Sequence, residues 1–260
     1  MPLPFDAVGR LVGLGAPWAL VLARASGLAW TAPGLSTPGL GFRPRLLLAA
    51  TLTALLAPLV APDVTAPPGL GPLAAACLVE VAIGSALGWA GAMVIAGARQ
   101  AGEIVGGQAG LSPAALFDPE AGDGMTPMGH LYGLVALGVF LALGGPTELV
   151  RALAESYKLV PAGGAAPSAA GVAEWAFGRV GQALTLALHA SAPPALALTL
   201  AGLALGLLGR AAPSLQLVSL SLPARTLLGL TLAAVGLAAL AATLGAAWHA
   251  SFPWSLAGQF

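Results

Sequence analysis

The chain has 260 residues, of which 58% are hydrophobic and only 8% are charged. An ordinary soluble domain carries about 25% charged residues, so this composition indicates a membrane protein. The net charge is zero and no basic cluster occurs of the kind that holds nucleic acid or anionic lipid. The single cysteine, Cys77, excludes an internal disulfide.

Six apolar runs approach the roughly 20 residues that a helix needs to cross the hydrocarbon of a bilayer. They lie near residues 11–32, 46–61, 73–98, 129–145, 181–209 and 226–248. Pro17 interrupts the first run, and Pro193 with Pro194 interrupts the fifth, so these helices are expected to kink or break. The sequence therefore predicts an all-α, polytopic membrane-type protein with kinked and broken helices.

Two signals of topology are weak in this chain. The N-terminal run is not typical of a cleaved signal peptide, because Asp6, Pro17 and Arg24 interrupt its pattern. The basic residues outside the apolar runs divide four against five between the two sides of a six-span topology. The positive charges therefore set no orientation, so either the six-span topology is wrong or insertion is guided by partner proteins.

Ionisable residues inside apolar runs are costly, and each is a functional-site hypothesis by default. Arg24, Glu80 and Glu103 are such residues. One interpretation is an ion or proton route. The other, which we favour because titratable groups are few, is that they pair with one another, with backbone carbonyls or with another subunit. Arg99 lies one helical turn before Glu103, so the sequence predicts that these two form a structural ion pair.

Motifs for catalysis and metal binding are missing from the sequence. His130, His189 and His249 are far apart and share no metal-ligand spacing with an acid pair. No nucleophile elbow, phosphate-binding loop or dinucleotide fingerprint occurs. We therefore predict that the protein is not an enzyme and has neither a metal nor another cofactor.

The most informative stretch is AGEIVGGQAGLSPAALFDP, residues 101–119, because it is Gly-rich and acidic between apolar runs. Its glycines are predicted to end one helix, and Ser112 with Pro113 resembles the start of a short second helix that ends before Pro119. Bulky apolar side chains follow the glycines. Two interpretations remain open, namely an ordinary re-entrant connection and a segment that occludes a pore.

Two further segments organise the rest of the chain. Residues 161–171, PAGGAAPSAAG, have the composition of an exposed linker and divide the chain into unequal parts. Residues 205–216, LGLLGRAAPSLQ, join two long apolar runs as a helical hairpin with a polar bend. At that bend we expect Arg210 and Gln216 to contact a partner, although a simple bend cap is an equal alternative.

Residues 101–119 closely resemble the signature stretch of the FliR family, flagellar relatives of the SctT export-apparatus proteins of type III secretion. The flanking segments match in order: residues 31–58 resemble the family's Pro-rich turn, basic pair and apolar helix, and Glu80 with Gly84 and Gly88 its next helix. Residues 140–163 and 205–216, with Pro223, follow. Pro146 and Thr147 stand where the family commonly has a histidine. The sequence EIVGGQ, residues 103–108, favours the flagellar branch over the injectisome branch.

The resemblance implies a function that spacing alone does not. Proteins of this family join FliP-like and FliQ-like subunits in a channel of the bacterial inner membrane, at the flagellar basal body, which exports unfolded axial proteins. It implies a FliP-like part over residues 1–165 and a FliQ-like helical hairpin over residues 170–260. An ion- or proton-coupled secondary transporter that uses Glu80 and Glu103 is the alternative.

In the family, the loop that matches residues 104–128 here contributes to a plug of the export channel. We expect the glycines to act as its hinge and the bulky apolar side chains as its seal. The expected plug residues are Gly106, Gly107, Gln108, Gly110, Leu111, Ser112, Leu116, Phe117 and Asp118.

Overall fold

A computed structural model of the chain describes residues 4–35, 41–60, 64, 67, 69–111, 125–164, 167–211 and 217–251. These residues form helices joined by turns, with no strand among them. The helices are α1 (Pro4–Thr31), α2 (Phe42–Val60), α3 (Leu70–Gln108), α4 (Pro127–Ala142), α5 (Gly145–Leu159), α6 (Ala169–Ala211) and α7 (Leu217–Ser251). The predicted all-α fold class is confirmed.

Three helices are long and apolar enough to cross a membrane, namely α2, α3 and α6. The pair formed by α4 and α5 passes the same test together, either as one broken span or as a re-entrant loop. The six predicted spans thus become three or four in the described residues. The 39 residues of α3 extend roughly 58 Å at 1.5 Å per residue, against about 30 Å of hydrocarbon.

The break between α4 and α5 follows from two neighbouring residues. Gly144 adopts the left-handed conformation at φ +74°, which a side chain would strain, and Pro146 stands in the first turn of α5. The backbone amide of Glu148 donates to the carbonyl of Gly144 at 3.1 Å, so the new helix starts cleanly. Gly and Pro therefore end one helix and begin the next within a few residues.

The kink or break expected at Pro193 and Pro194 does not divide the helix, because α6 runs through both residues as one helix of 43 residues. Each proline lacks an amide hydrogen, so the carbonyls four residues earlier lose their helical donors. The two prolines are adjacent, and the interruption is confined to one turn. The same is true of Pro17, which lies inside α1.

The chain divides into two compact units. One comprises Met1–Ala92, Gly144–Phe177 and Ala250–Phe260, and the other comprises Met93–Leu143 and Gly178–His249. We call them the first and second unit and describe each by itself. The predicted FliP-like and FliQ-like parts are defined by sequence resemblance, whereas these two units are defined by compactness. The division into FliP-like and FliQ-like parts stays a prediction.

Glycines bring α1 and α3 into backbone contact in the first unit. A methyl group at Gly84 would overlap the carbonyl of Arg24, and one at Gly27 would overlap the carbonyl of Val81. One turn further along α3, a methyl group at Gly88 would overlap the hydroxyl of Thr31. Small residues at such spacing let helices pack closely where lipid removes the hydrophobic drive for association. This contact fixes α1 against the first half of α3.

Candidate functional site at the ends of the central segment

In the second unit, α3 and α4 approach each other through two pairs of glycines spaced four apart. Gly102 and Gly106 lie on α3, and Gly129 and Gly133 lie on α4. A methyl group at Gly102 would come within 2.5 Å of the carbonyl oxygen of Met128, and one at Gly106 within 2.5 Å of the Thr126 hydroxyl. The helix ends that flank residues 112–125, which we call the central segment, are therefore in contact. We call residues 102–111 and 126–133 the loop base.

The end of α3 is a Schellman motif. The amide of Leu111 donates to the carbonyl of Gly106 at 3.0 Å, and the amide of Gly110 donates to the carbonyl of Gly107 at 3.2 Å. Gly110 has φ +80°, the left-handed conformation that this motif requires. The helix therefore ends at Gln108 and Gly110 is the left-handed residue that follows it, whereas Gly106 and Gly107 are still part of the helical hydrogen-bond pattern. Gly106 is needed for close packing.

The start of α4 is held by Glu103. The backbone amide of Thr126 donates to Oε1 of Glu103 at 2.7 Å, and the Thr126 hydroxyl donates to the same oxygen at 3.2 Å. That hydroxyl accepts from the amide of Gly129 at 3.1 Å, which caps the helix. A carboxylate at a helix N-terminus is also favoured by the helix dipole. Glu103 thus ties the last turns of α3 to the first turn of α4.

The structure does not bring Arg99 to Glu103. No ion pair joins them in the part of the chain described, because the Glu103 carboxylate faces Thr126 on α4. The Arg99 side chain instead crosses Gly133, where a methyl group would lie 2.7 Å from Nε. The predicted Arg99–Glu103 pair is therefore replaced by two separate contacts of α3 with α4. The sequence carries two signals for this arrangement. Glycines are spaced four residues apart at 102 and 106 and again at 129 and 133, and Thr126 with Pro127 is typical of a helix start.

The expected plug residues are only partly within the described residues. Gly106 is buried, Gly107 is exposed, and Gln108, Gly110 and Leu111 are partly exposed. Leu111 follows the Schellman glycine and leads into the central segment. Four expected members lie outside the residues that the structure describes, namely Ser112, Leu116, Phe117 and Asp118.

The first unit contains a buried polar cluster around Arg24, which is fully buried. Its Nε donates to Oε2 of Glu80 at 2.5 Å, and its Nη1 donates to the Ser156 hydroxyl at 3.0 Å. Its Nη2 donates to the carbonyl of Val160 at 2.9 Å. The charge is thus surrounded by acceptors from α3, α5 and the turn after α5.

Two further contacts engage the Arg24–Glu80 ion pair. Oε1 of Glu80 accepts from the backbone amide of Gly163 at 3.0 Å. The guanidinium carbon of Arg24 lies 4.2 Å from the ring centroid of Tyr157, a cation–π contact. Both oxygens of the carboxylate are therefore engaged. We call Arg24, Glu80, Ser156, Tyr157, Val160 and Gly163 the arginine cluster. Ser156 and Tyr157 were not expected from the sequence because they lie more than 130 residues from Arg24.

Other predicted residues lie apart from these two sites. Arg210 is exposed in the last turn of α6, where a cation is favoured by the helix dipole. Gln216 is outside the described residues. His130 and His189 are exposed, and within the described ranges no three histidine, cysteine, aspartate or glutamate residues lie close enough to hold a metal ion.

The comparison with known proteins assigns the chain to a family. Residues 16–251 match the family described as "Bacterial export proteins, family 1". The Flagellar biosynthetic protein FliR of Caulobacter vibrioides is 31% identical over 224 residues, covering 86% of this chain and 89% of that protein. The protein of the same name from Escherichia coli is 34% identical over 82% of this chain and 81% of its own length.

A relative from a second export system matches a smaller part of the chain. The Yop proteins translocation protein T of Yersinia pestis is 28% identical over 150 residues, which cover 56% of this chain and 57% of that protein. The flagellar relatives are thus matched over most of their length, and the translocation protein over somewhat more than half. The family match covers nearly the whole chain, and the chain belongs to the bacterial export proteins, family 1.

Proposed function

We propose that this protein is a membrane component of the flagellar type III export gate. It would form, with FliP-like and FliQ-like subunits, the channel through which unfolded flagellar axial proteins leave the cell. The observation that carries the proposal is the similarity to Flagellar biosynthetic protein FliR over more than four fifths of the chain. The longer match to flagellar relatives than to the translocation protein favours the flagellar branch.

The finer assignments of the proposal follow the resemblance. Residues 1–165 are the FliP-like part, residues 170–260 are the FliQ-like hairpin, and Arg210 with Gln216 contacts a partner at the hairpin bend. The protein resides in the inner membrane at the basal body. Helices of roughly 58 Å are longer than a bilayer requires, which supports a place inside a protein assembly.

The central segment helps to close the channel in this proposal. The loop base supports it, because the Schellman end of α3 and the Glu103-held start of α4 fix both ends of the segment. Leu111, Leu116 and Phe117 supply the apolar seal. The hinge role falls on Gly110, which has the left-handed backbone, while Gly106 serves close packing.

A secondary transporter would need carboxylates that exchange protons or ions. Glu80 accepts from Arg24 and Gly163, and Glu103 accepts twice from Thr126. Carboxylates that are held by several donors are suited to structural pairing. The contacts therefore support the export gate over the carrier function.

The closure role is tested by deleting residues 111–117 and measuring ion conductance of the assembled complex in planar bilayers. We expect higher conductance with unchanged co-purification of the partner subunits. A variant with Leu111, Leu116 and Phe117 changed to serine should leak in the same way. Leu134→Ser with Leu141→Ser is the control, because both leucines are exposed on α4 and lie outside the segment. Unchanged conductance in the deletion variant would contradict the closure role.

The assembly itself is tested separately. Affinity purification of the tagged chain in mild detergent should bring FliP-like and FliQ-like chains with it, identified by mass spectrometry. Recovery of the chain alone, in the same detergent in which a tagged FliP-like subunit retains its partners, would contradict the proposed assembly.

A further inference from the structure

The corner between α1 and α2 carries two exposed aromatic rings and two arginines. Trp30 is 52% exposed and Phe42 is 58% exposed, and their ring centroids are 6.0 Å apart in an edge-on arrangement. The guanidinium carbon of Arg45 lies 5.2 Å from the centroid of the Trp30 ring. Arg43 is exposed beside them. We call Trp30, Phe42, Arg43 and Arg45 the aromatic–arginine corner.

The corner lies at the end of a candidate membrane span. Phe42 is the first residue of α2, which is long and apolar enough to cross a bilayer. Trp30 is next to the last residue of α1. Aromatic side chains at span ends settle at the level of the lipid headgroups, because one face is apolar and the other tolerates water. Exposure of both rings at this position is therefore suited to a headgroup region.

The corner carries two positive charges, from Arg43 and Arg45. No acidic residue occurs from residue 7 to residue 62, and the first turn of α2 holds none. Cations at a helix N-terminus are opposed by the helix dipole, which favours negative charge there. Two arginines at the start of α2 are thus placed where an external anion is stabilised both by their charges and by the dipole.

The fold also orients one of the two guanidinium groups. Nε of Arg45 donates to the carbonyl of Leu35 at 2.8 Å, just after α1, while its face lies over Trp30. Arginine so held presents a planar donor set of the kind that recognises phosphate. Phe42, Arg43 and Arg45 are neighbours in the sequence, and the fold brings Trp30 and the carbonyl of Leu35 to them.

We propose that the aromatic–arginine corner binds the phosphate of an anionic phospholipid headgroup and anchors the α1–α2 turn at the membrane interface. The proposal does not rest on the export function. A partner protein or a soluble anion on the same surface is a different outcome, which the test distinguishes.

The test uses the assembled complex in nanodiscs that contain equal amounts of phosphatidylglycerol and phosphatidylcholine. After transfer to mild detergent, native mass spectrometry measures the ratio of the two bound lipids. A basic residue near a membrane surface contributes about fivefold to binding of anionic lipid, so Arg43→Gln with Arg45→Gln should lower the ratio about thirtyfold. Arg43→Gln alone, which disturbs no contact with a described residue, should lower it about fivefold.

Matched variants separate charge from folding. Arg43→Lys with Arg45→Lys should keep the ratio within about threefold of the unmodified protein, since the charge remains. Arg151→Gln, at an exposed arginine on α5, should leave it unchanged. An unchanged ratio in the double glutamine variant would overturn the proposal. The proposal would also be overturned if millimolar inorganic phosphate lowered the lipid ratio of the unmodified protein as much as the double glutamine change does. That result would indicate a site for a soluble anion.

Tryptophan fluorescence distinguishes a lipid surface from a subunit interface. Lipids brominated near the headgroup should quench the part of the emission that Trp30→Phe removes. If that emission is unaffected by brominated lipid but changes when a partner subunit is omitted, the corner contacts protein and the proposal fails.

Discussion

Replacing Glu80 by glutamine tests the arginine cluster most directly. The change keeps an oxygen for the Gly163 amide but removes the negative charge next to Arg24, which is fully buried. A buried charge that loses its partner costs about 3–5 kcal/mol, because it was already taken out of water. The remaining acceptors on Ser156 and Val160 are neutral. We therefore expect Glu80→Gln to lose about 3–5 kcal/mol of stability.

The measurement is unfolding of the purified protein by titration of a denaturing detergent into a mild one, followed by circular dichroism. Glu155→Gln is the matched control. Glu155 pairs with Arg151 at 3.2 Å across one helical turn, but that arginine side chain is 66% exposed. Pairs of this kind contribute about 0.3–0.5 kcal/mol, so the control should unfold almost as the unmodified protein does.

A double replacement separates a structural role from a transport role. Arg24→Met with Glu80→Leu removes both charges, and apolar replacement of a complete buried pair is often neutral or stabilising. This variant should recover at least half of the stability lost in Glu80→Gln and should still support assembly. Normal stability of Glu80→Gln, together with loss of function in both variants, would refute the structural role and favour proton transport.

Three other changes test the second unit, each measured by the same unfolding titration. Gly110→Ala should cost about 1–2 kcal/mol because a side chain is strained at φ +80°, whereas Gly138→Ala, in open space on α4, should be neutral or stabilising; equal effects would contradict the Schellman assignment. Thr126→Val should cost about 1–2 kcal/mol of stability, since it removes a helix cap and one hydrogen bond to Glu103. It should also raise the ion conductance of the complex. A stable variant with normal conductance would contradict the role of the loop base. Tyr132→Phe should lose no stability, because the fully buried hydroxyl has no hydrogen-bond partner among the described residues. A loss above about 1 kcal/mol would contradict this and indicate that the hydroxyl makes a hydrogen bond.

The fold class could be predicted from composition, because few charges and long apolar runs leave a polytopic helical protein as the main possibility. The boundaries of the helices could not. The third apolar run ends near residue 98, before Arg99 and Glu103, yet α3 continues to Gln108. The reason is tertiary, since Thr126 at the start of α4 donates hydrogen bonds to Glu103 and Arg99 lies against Gly133 of α4. A charge ends an apolar span only where no neighbouring helix receives it.

In the candidate sites, features set by neighbouring residues could be predicted, whereas contacts between residues far apart in the sequence could not. The left-handed glycine at the end of α3 follows from local preference, and the sequence analysis expected a helix end within the three glycines. The arginine cluster joins Arg24 to residues 132 and 136 positions away, so no window of sequence contains it. The choice between pairing and transport for Glu80 could not be made from spacing. Distances to Arg24 and Gly163 were needed.

The glycine contacts between α1 and α3 constrain the length of α3 as strongly as its composition. Gly84 and Gly88 face α1 because they are four residues apart on one side of a helix. Inserting one residue between them would rotate the second glycine by about 100° and move a larger side chain into backbone contact. Leu55 and Leu59, exposed on α2, meet no such neighbour. The chain is therefore expected to tolerate exchange of apolar side chains on α2 better than the gain or loss of a single residue between Gly84 and Gly88.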